Sequence, residues 1–303
     1  MSMASILVLA MALDAALGEP RWLWDRLPHP AVVMGRAIDL LDRRWNTGKA
    51  RRAKGALAIA LLGAAALMLG AALAQLGAAV VIIVAAVLIA QRSLCDHVAA
   101  VAAALRLSLP DGRASVAMIV GRETQAMDGP AVSRAAIESA AENFSDGVAA
   151  PLFWLAIGGL PGLILYKIVN TADSMIGHRT PRHAQFGWAA ARLDDLMNLI
   201  PARATALLIL LLSYPRPRWS DIVREARQHR SPNAGWPEAA MARSIGVALS
   251  GPRAYHGQMH SYPFVNPEGR RNPGPDDIDA AVAVLWRLWA AILLLSVLWA
   301  LLG

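Results

Sequence analysis

Apolar residues occur along the chain in runs that are long enough to form membrane helices. Residues 55–90 contain no charged side chain and a single amide, Gln75. A spanning helix needs about 20 apolar residues, so one helix of this length would overrun a bilayer. The pattern therefore predicts a helical hairpin that turns between Gly70 and Gly77. Residues 280–302 form another apolar run and predict a carboxyl-terminal span.

The middle of the chain is less regular. Residues 147–166 are long enough to span, but the stretch GGLPG at 158–162 divides them. Broken helices are tolerated at membrane depth where they are buried in protein or line a cavity. Residues 204–213 are too short to span without the polar residues before them. The chain is thus predicted to be an all-α polytopic integral membrane protein with about four to six membrane segments, one of them broken and either spanning or re-entrant.

Composition agrees with a membrane protein. Hydrophobic residues make up 56% of the chain and charged residues 17%, against roughly a quarter charged in soluble domains. The net charge is +7, but the basic residues lie in loops beside apolar runs, without the basic stripe and interleaved aromatics of nucleic-acid binding. Cys95 is the only cysteine, which excludes an internal disulfide and a thiolate metal cluster.

Loop charges predict the orientation. Residues 19–54 carry nine Lys and Arg against four acids, which indicates a cytoplasmic, amphipathic segment. A hairpin returns the next polar segment to the same side. If the broken segment is re-entrant, the polar motifs on both sides of it meet at the cytoplasmic face of a bacterial inner membrane; if it spans, the membrane separates them. Within a single domain over 1–303, the expected divisions are a basic loop (19–54), a hairpin (55–90), a polar loop (91–147), a site region (142–203), a polar region (214–279) and the last span (280–302).

Three clusters of acidic and amide side chains lie between residues 142 and 198. The first, ENFSDG, holds Glu142, Asn143, Ser145 and Asp146 where the broken apolar segment is expected to start. A helix start offers free N–H groups to phosphate, and neighbouring carboxylates can hold Mg²⁺. The alternative is that Ser145 or Asp146 only caps the helix.

The second cluster is YKIVNTADSMIGHR. Asn170 and Asp173 are three residues apart and share one face of a helix, with Lys167, His178 and Arg179 on either side. Carboxylate and amide oxygens flanked by cations suit a Mg²⁺–polyphosphate ligand. The alternative is an interfacial polar turn whose bases reach towards water.

The third cluster is ARLDDLMNLIPAR. Asp194 and Asp195 precede Asn198 by four and three residues, again one helix face, between Arg192 and Arg203. Adjacent carboxylates beside a membrane segment are costly to bury unless they are paired or bind metal. An ion pair of Arg192 with either aspartate is the structural alternative. A purely structural reading needs a separate explanation for each cluster, which favours one shared site.

Two other motifs are weaker. His29 lies between prolines in PHPAVV, where it is a turn residue, a ligand or a base. SPNAGWPEAAMARSIGVAL predicts a helix that begins near Pro237, with Glu238 as a capping or binding residue. The chain has no Walker-type phosphate loop, zinc-ligand spacing or nucleophile elbow.

Taken together, these motifs resemble a known family. The stretches LDAALGEP, HPAVVMGR, ENFSDGVAAPLFW, YKIVNTADSMIGHR, FGWAAARLDDLMNLIPARATALL, NAGWPEAAMARSIGV and GPRAYHG occur in this order. They are similar to the cobalamin biosynthesis protein CobD/CbiB family, the adenosylcobinamide-phosphate synthases. The resemblance runs from about Leu13 to the last span.

The resemblance implies an integral membrane enzyme of cobalamin biosynthesis. Its substrates would be adenosylcobyric acid, a corrinoid, and (R)-1-amino-2-propanol or its O-phosphate, joined as an amide. A carboxylate and an amine do not condense unaided in water, so ATP and Mg²⁺ are expected, with an acyl phosphate as the intermediate. Further expected partners are the lipid bilayer and either other corrinoid-assembly enzymes or a second copy of the chain.

The site residues divide by role. We expect the metal to bind Asp146, Asp173, Asp194 and Asp195; the phosphates and nucleotide to bind Asn143, Ser145, Asn170, Arg179, Arg192 and Asn198; and catalysis to involve Lys167 with His178 or Glu142 as the base.

Two other classes of function remain open. A membrane prenyltransferase also places Asn and Asp motifs on helices around Mg²⁺–diphosphate, but it would have more, evenly spaced helices. A non-catalytic scaffold or transporter would use the clusters as ion-pair locks. Magnesium-dependent ATP consumption on addition of corrinoid and amine separates the enzyme from both.

Overall fold

A computed structural model describes residues 1–255, 258–260 and 262–302. Helices account for most of this part of the chain. In chain order they are α1 (Met3–Leu17), α2 (Arg21–Trp24), α3 (Pro30–Trp45), α4 (Arg51–Ala74), α5 (Ala78–Leu88), α6 (Gln91–Leu107), α7 (Leu109–Ala117), α8 (Gly129–Phe144), α9 (Ala150–Ile176), α10 (Trp188–Met197), α11 (Leu199–Leu212), α12 (Trp219–Ala226), α13 (Gly235–Ile245) and α14 (Pro275–Leu302).

Strands are few and short. β1 (Leu249–Ser250) pairs antiparallel with β4 (Phe264–Val265), and β2 (Arg253–Tyr255) pairs antiparallel with β3 (Gln258–His260). The GPRAYHG motif ends in His256 and Gly257, which lie outside the described residues. The fold class predicted from the hydrophobic pattern, a helical polytopic membrane protein, is confirmed.

Four helical stretches are long and apolar enough to cross a membrane, and one bent pair qualifies as a fifth. Both numbers fall within the predicted range. The bent pair, α10 and α11, turns by 43° at Asn198. The four stretches are Arg51–Ala74, Ala78–Leu107, Gly129–Ile176 and Pro275–Leu302.

The chain divides into two compact units. The first comprises Met1–Ala90, Asp146–Leu199 and the residues from Leu293 onwards; the second comprises Gln91–Ser145 and Ile200–Ile292. In the first unit, α9 is the central helix: α3, α4, α5 and α10 all pack on it, and α1 packs on α5. In the second unit, α8 packs against α6, α7, α13 and β1, and α12 packs against α13.

The predicted hairpin is present as α4 and α5. Gly77 ends the turn between them with a φ of +101°, a conformation that glycine adopts without steric cost. The expected break in the following apolar segment is also present. Gly159 leaves helical geometry with a φ of +61°, and Pro161, which has no N–H to donate, follows two residues later.

Residues 91–147, which were predicted to be a polar loop, are largely helical. Helices α6, α7 and α8 occupy most of this stretch, and their apolar residues form much of the second unit's core, including Val98, Val101 and Ile137. The segment reads as polar because charged residues alternate with the alanines and valines that pack inward.

Small residues let α4 approach α9 closely. A Cβ built on Gly70 would lie 2.5 Å from the Cα of Pro161, so no side chain fits between the two backbones. At Gly63 on the same helix, the added carbon would meet only the flexible side chain of Leu165, at 3.2 Å.

We expect Gly70→Ala to destabilise the protein by about 1–3 kcal/mol, the usual cost of forcing an extra carbon into a packed core. Gly63→Ala, the matched control, will cost less because the leucine side chain can move. The check is the thermal midpoint of each purified variant in detergent. Equal midpoints for the two variants would show that the α4–α9 contact is not tight.

Candidate functional site

Asp194 lies at the centre of the polar residues in the first unit. It is 8% exposed, on the face of α10 that turns towards α9. Asn170 on α9 donates its Nδ2 to Asp194 Oδ1 at 3.2 Å, and Asn198 donates its Nδ2 to Oδ2 at 3.1 Å. Both carboxylate oxygens therefore accept from neutral amides, which fix the orientation of Asp194.

Tyr166 connects this carboxylate to the start of α9. Its side chain is fully buried, and its hydroxyl lies 3.0 Å from Asn198 Oδ1 and 2.9 Å from the main-chain oxygen of Asp146. A phenol has one proton, so it can donate to one of these oxygens at a time. The second and third predicted clusters, and the backbone of Asp146, thus belong to one network within the first unit.

Asp173 is the second carboxylate of this region. It lies one helical turn beyond Asn170 on α9, as the spacing predicts, and close enough to Asp194 to act on it electrostatically. Two carboxylates with an amide between them suit Mg²⁺, which takes one or two protein carboxylates and keeps water or phosphate oxygens for the rest. Across the described residues, no group of three or more His, Cys, Asp or Glu side chains has metal-binding geometry.

Gly177 makes room for this carboxylate. It ends α9, and a Cβ built on it would overlap Oδ1 of Asp173. The glycine in ADSMIG is therefore a spatial requirement of the aspartate four residues before it. The sequence analysis gave this glycine no role.

The cationic residues of the second cluster lie in two places, on α9 and in the segment that follows it. Lys167 lies on α9, half-buried, and the carboxylates of Asp146 and Glu19 act on it electrostatically. His178 and Arg179 lie beyond the end of α9 and are exposed. Arg179 acts electrostatically on Asp195.

Arg192 and Asp195 pair with each other. Arg192 Nη1 lies 3.3 Å from Asp195 Oδ2, one turn along α10, and the arginine side chain is 56% exposed. This is the ion pair foreseen as the structural alternative for the third cluster, and it involves Asp195 only. Asp194 and Asp195, adjacent in sequence, therefore differ in role: the first is buried among amides and the second is paired near the surface.

The first cluster is not the start of a helix, so that expectation is wrong. α8 continues through a π-helical turn at Ser145–Ala149 directly into α9, and the Ser145 N–H bonds back to Ala141 and Glu142. Neither Ser145 nor Asp146 caps a helix here. A π-helical turn holds an extra residue compared with an α-helical turn. Single π-helical turns inside α-helices are frequent at functional sites.

The members of this cluster fall in different units. Asp146 belongs to the first unit, whereas Glu142, Asn143 and Ser145 belong to the second. Glu142 and Asn143 are exposed, and Asn143 Nδ2 donates to the oxygens of Ser139 at 2.9 Å. Ser145 is buried, and its hydroxyl has no hydrogen-bond partner among the described residues.

His29 is a turn residue. Its Nδ1 accepts from the Ala31 N–H at 3.2 Å and caps the start of α3, while its ring packs edge-on against Trp24. Burial disfavours the charged form of this imidazole and therefore lowers its pKa.

Sequence reasoning missed Asp42. It assigned residues around it to a surface helix, yet Asp42 is 5% exposed on the buried face of α3. Its carboxylate accepts from Arg182 Nη2 at 2.6 Å and from Asn46 Nδ2 at 2.7 Å, and His183 Nε2 lies 3.4 Å away. Asp42 thus holds the segment that carries His178 and Arg179. The only signal in the sequence was an acid on the apolar side of an amphipathic helix.

The site and fold define a class: polytopic helical membrane proteins with a buried carboxylate–amide site. The family described as CobD/Cbib protein matches residues 7–285. The chain belongs to this family.

Similar proteins cover nearly the whole chain. A Rhizobium meliloti (strain 1021) protein named cobalamin biosynthesis protein CobD is 50% identical over 301 residues, covering 93% of this chain and 92% of that protein. A Rhodobacter capsulatus protein of the same name is 46% identical over 312 residues and covers 99% of both chains. No solved structure matches.

We expect Asp42→Asn to destabilise the protein by about 1–2 kcal/mol, because a charge-assisted hydrogen bond is lost and Arg182 is partly solvated. Burial alone would raise the pKa of Asp42, but hydrogen bonds from Arg182, Asn46 and His183 outweigh it and hold this pKa below its usual value. The stabilisation is therefore complete above about pH 4 and is lost as the pH falls further.

The measurement is the thermal midpoint of the natural protein and the variant between pH 3 and pH 7. The matched control is Asp39→Asn on the same helix, which breaks an exposed ion pair with Arg43 and will have almost no effect. A difference between natural protein and Asp42→Asn that persists unchanged at pH 3 would contradict the assignment.

Proposed function

We propose that this protein acts in cobalamin biosynthesis as an ATP-dependent amide-forming synthase of the bacterial inner membrane. It joins a carboxylate of adenosylcobyric acid to (R)-1-amino-2-propanol or its O-phosphate, giving adenosylcobinamide or its phosphate. Membership of the CobD/Cbib family supports the pathway. The observation that carries the chemistry is the convergence of Asp194, Asn170, Asn198 and Asp173 in the first unit.

The reaction needs an activated carboxylate. A carboxylate oxygen of the corrinoid forms a bond to the terminal phosphorus of ATP, the bond to ADP breaks, and an acyl phosphate results. The amine nitrogen then bonds to the acyl carbon, and phosphate leaves with the electron pair of the C–O bond. Starting from the ammonium form, the sum releases one proton along with ADP and phosphate.

Anions therefore meet at this site, and the first unit provides groups of both signs. Asp173 and Asp194 would hold Mg²⁺, which when bound neutralises phosphate charge and draws electrons from the phosphorus. The amides of Asn170 and Asn198 keep Asp194 in one orientation, so that little reorganisation is needed during the reaction. Lys167 lies on the same helix as Asn170 and Asp173 and supplies positive charge to phosphate.

The exposed segment after α9 supplies the remaining groups. Arg179 clamps phosphate, and His178 takes the proton from the ammonium group, since only the neutral amine is a nucleophile. Arg192 contributes to phosphate binding while its partner Asp195 holds it at the surface. Asp42 keeps this segment in place through Arg182 and His183.

The deciding experiment uses the purified full-length protein in detergent with adenosylcobyric acid, Mg-ATP and either aminopropanol or its phosphate. We expect a corrinoid product heavier by one amide-linked amine unit, detected by mass spectrometry, and one ADP per product. Asp173→Ala and Asp194→Asn will each lower turnover at least about a hundredfold, because they remove a charge that holds the metal.

The matched control is Asp96→Ala, which removes an exposed carboxylate paired with Arg92 on α6 and leaves turnover unchanged. Full activity of Asp173→Ala would remove the metal assignment. No product with either amine, from protein with an unchanged thermal midpoint, would favour a scaffold that needs partner enzymes.

A second test changes the space around the Asp173 carboxylate instead of its charge. We expect Gly177→Ala to lower turnover at least about tenfold, because the new methyl group displaces the Asp173 carboxylate from its position. Gly129→Ala is the control, since a Cβ there meets open space. The kinetic constants should show a loss that higher magnesium concentrations partly restore. Equal turnover of both variants would separate Asp173 from the chemistry.

A further inference from the structure

One face of α3 is exposed along the helix, and the mechanism above does not use it. Three large apolar side chains lie on this face: Val32 is 46% exposed, Val33 50% and Leu40 47%. Three arginines lie among them and are also exposed: Arg36, Arg43 and Arg44. Members of this set recur three, four or seven positions apart, which places them on one side of the helix. These six residues form the outer face of α3.

The opposite face of α3 is fixed in place. Asp42 lies on it, held by Asn46 and Arg182 through the hydrogen bonds described above. Gly35 lies against the end of α9, where an added Cβ would meet the Sδ of Met175 at 3.3 Å. The helix therefore cannot rotate to turn its apolar side chains inward, and the outer face stays exposed.

The carboxyl end of α3 is tied to the start of a membrane span. Arg51, the first residue of α4, donates its Nε to Asn46 Oδ1 at 2.6 Å, and Lys54 Nζ donates to the Thr47 main-chain oxygen at 2.9 Å. From Gly55 onwards α4 is apolar, and the helix is long enough to cross a membrane. The last turn of α3 therefore lies at the level where lipid headgroups meet water.

Further bases and an indole lie at the same level. Lys49 and Arg52 are exposed, and the Arg52 guanidinium carbon lies 3.7 Å from the ring centroid of Trp188 on α10. Tryptophan is enriched at the boundary between lipid and water, and Lys and Arg beside a span attract anionic lipid. The outer face of α3 is thus continuous with a basic surface around the start of α4.

Two arginines of the outer face keep their charge available. Arg43 Nε pairs with Asp39 Oδ2 at 2.9 Å. Within the part of the chain that the structure describes, the side chains of Arg36 and Arg44 have no hydrogen-bond or ion-pair partner. An arginine side chain can lie along apolar surface and place its guanidinium among phosphates. Apolar side chains and available guanidinium groups on one face are complementary to anionic lipid.

Other occupants of this face fit less well. A second copy of the chain, packed through the same face by two-fold symmetry, would bring the arginines of both copies against each other. A nucleic acid or an acidic protein would match the arginines, but it would leave the apolar side chains without apolar partners. It would also compete with the bilayer, which begins where α3 meets α4.

We propose that the outer face of α3 binds anionic phospholipid in the membrane leaflet beside it. Val32, Val33 and Leu40 lie among the upper parts of the acyl chains, and Arg36 and Arg44 donate to headgroup phosphates. The helix lies on the membrane instead of crossing it, as amphipathic helices with basic residues do. The contact needs neither nucleotide nor corrinoid, so it stands or falls independently of the synthase reaction.

The position of the outer face is measured with spin labels on the full-length protein, in phosphatidylcholine vesicles that contain about a third of phosphatidylglycerol. Cys95, the only cysteine, is buried, and Gln91 donates to its sulfur at 3.2 Å, so Cys95→Ser keeps an acceptor there. The label is then attached to Leu40→Cys or, as the reference for lipid, to Leu61→Cys in the apolar part of α4.

We expect the label at position 40 to collide more often with oxygen, which dissolves in lipid, than with a water-soluble nickel complex. It will lie less deep than the label at position 61. A label at position 40 that favours the nickel complex would place the outer face in water and overturn the proposal. Broadening of its spectrum by a neighbouring label would do the same, because it would mark a second copy of the chain on this face.

The choice of lipid is tested by native mass spectrometry of the full-length protein in neutral detergent, titrated with phosphatidylglycerol or phosphatidylcholine. We expect phosphatidylglycerol to bind at least about tenfold more tightly. The double variant Arg36→Gln, Arg44→Gln will weaken phosphatidylglycerol at least about tenfold, because each base at an anionic surface contributes about fivefold in affinity. Phosphatidylcholine will bind the variant and the natural protein alike.

The matched control is the double variant Arg36→Lys, Arg44→Lys, which keeps both charges. It will bind phosphatidylglycerol within about threefold of the natural protein. Both positions are exposed, so all variants should keep the thermal midpoint of the natural protein. Equal affinities of the two lipids for the natural protein would overturn the proposal, as would a glutamine variant that binds phosphatidylglycerol as tightly as the lysine variant.

Discussion

The orientation of one buried carboxylate organises the first unit. Asp194 accepts hydrogen bonds from two asparagine amides, Asn170 on α9 and Asn198 at the end of α10. The bond from Asn170 ties α9 to α10 across the exposed segment between them, and the bond from Asn198 lies within the last turn of α10. The partners are amides and not an arginine or lysine, so they orient the carboxylate without forming an ion pair with it. Tyr166 extends the same network to the backbone of Asp146.

Helical periodicity in the sequence predicted much of this arrangement of helices and polar side chains. The hairpin, the break at Gly159 and the shared faces of Asn170 with Asp173 and of Asp194 with Asn198 all follow from spacing, and the structure confirms them. Each of these features depends on residues that are close in sequence, and helix geometry determines which of those residues share a face.

Features that depend on distant segments were not predictable in the same way. Asp42 reads as one more charge on an amphipathic helix, and only its bonds to Arg182 and His183 show that it faces inward. The π-helical turn at Ser145–Ala149 reads as a helix start, because serine, aspartate and glycine favour such positions. Local preference gave the wrong answer there, because helical hydrogen bonding continues through the turn, with the Ser145 N–H donating to the main-chain oxygens of Ala141 and Glu142.

The close contact between Gly70 and Pro161 has a consequence for how the protein is made. A proline inside an apolar helix removes a hydrogen-bond donor, and a freed backbone oxygen is costly in lipid unless protein covers it. The helix that lies over this kink is α4, which precedes α9 in the chain. Since synthesis runs from the amino terminus, the cover is already in the membrane when the kinked helix leaves the ribosome. The kinked part of α9 therefore enters the bilayer beside α4, which covers it from lipid.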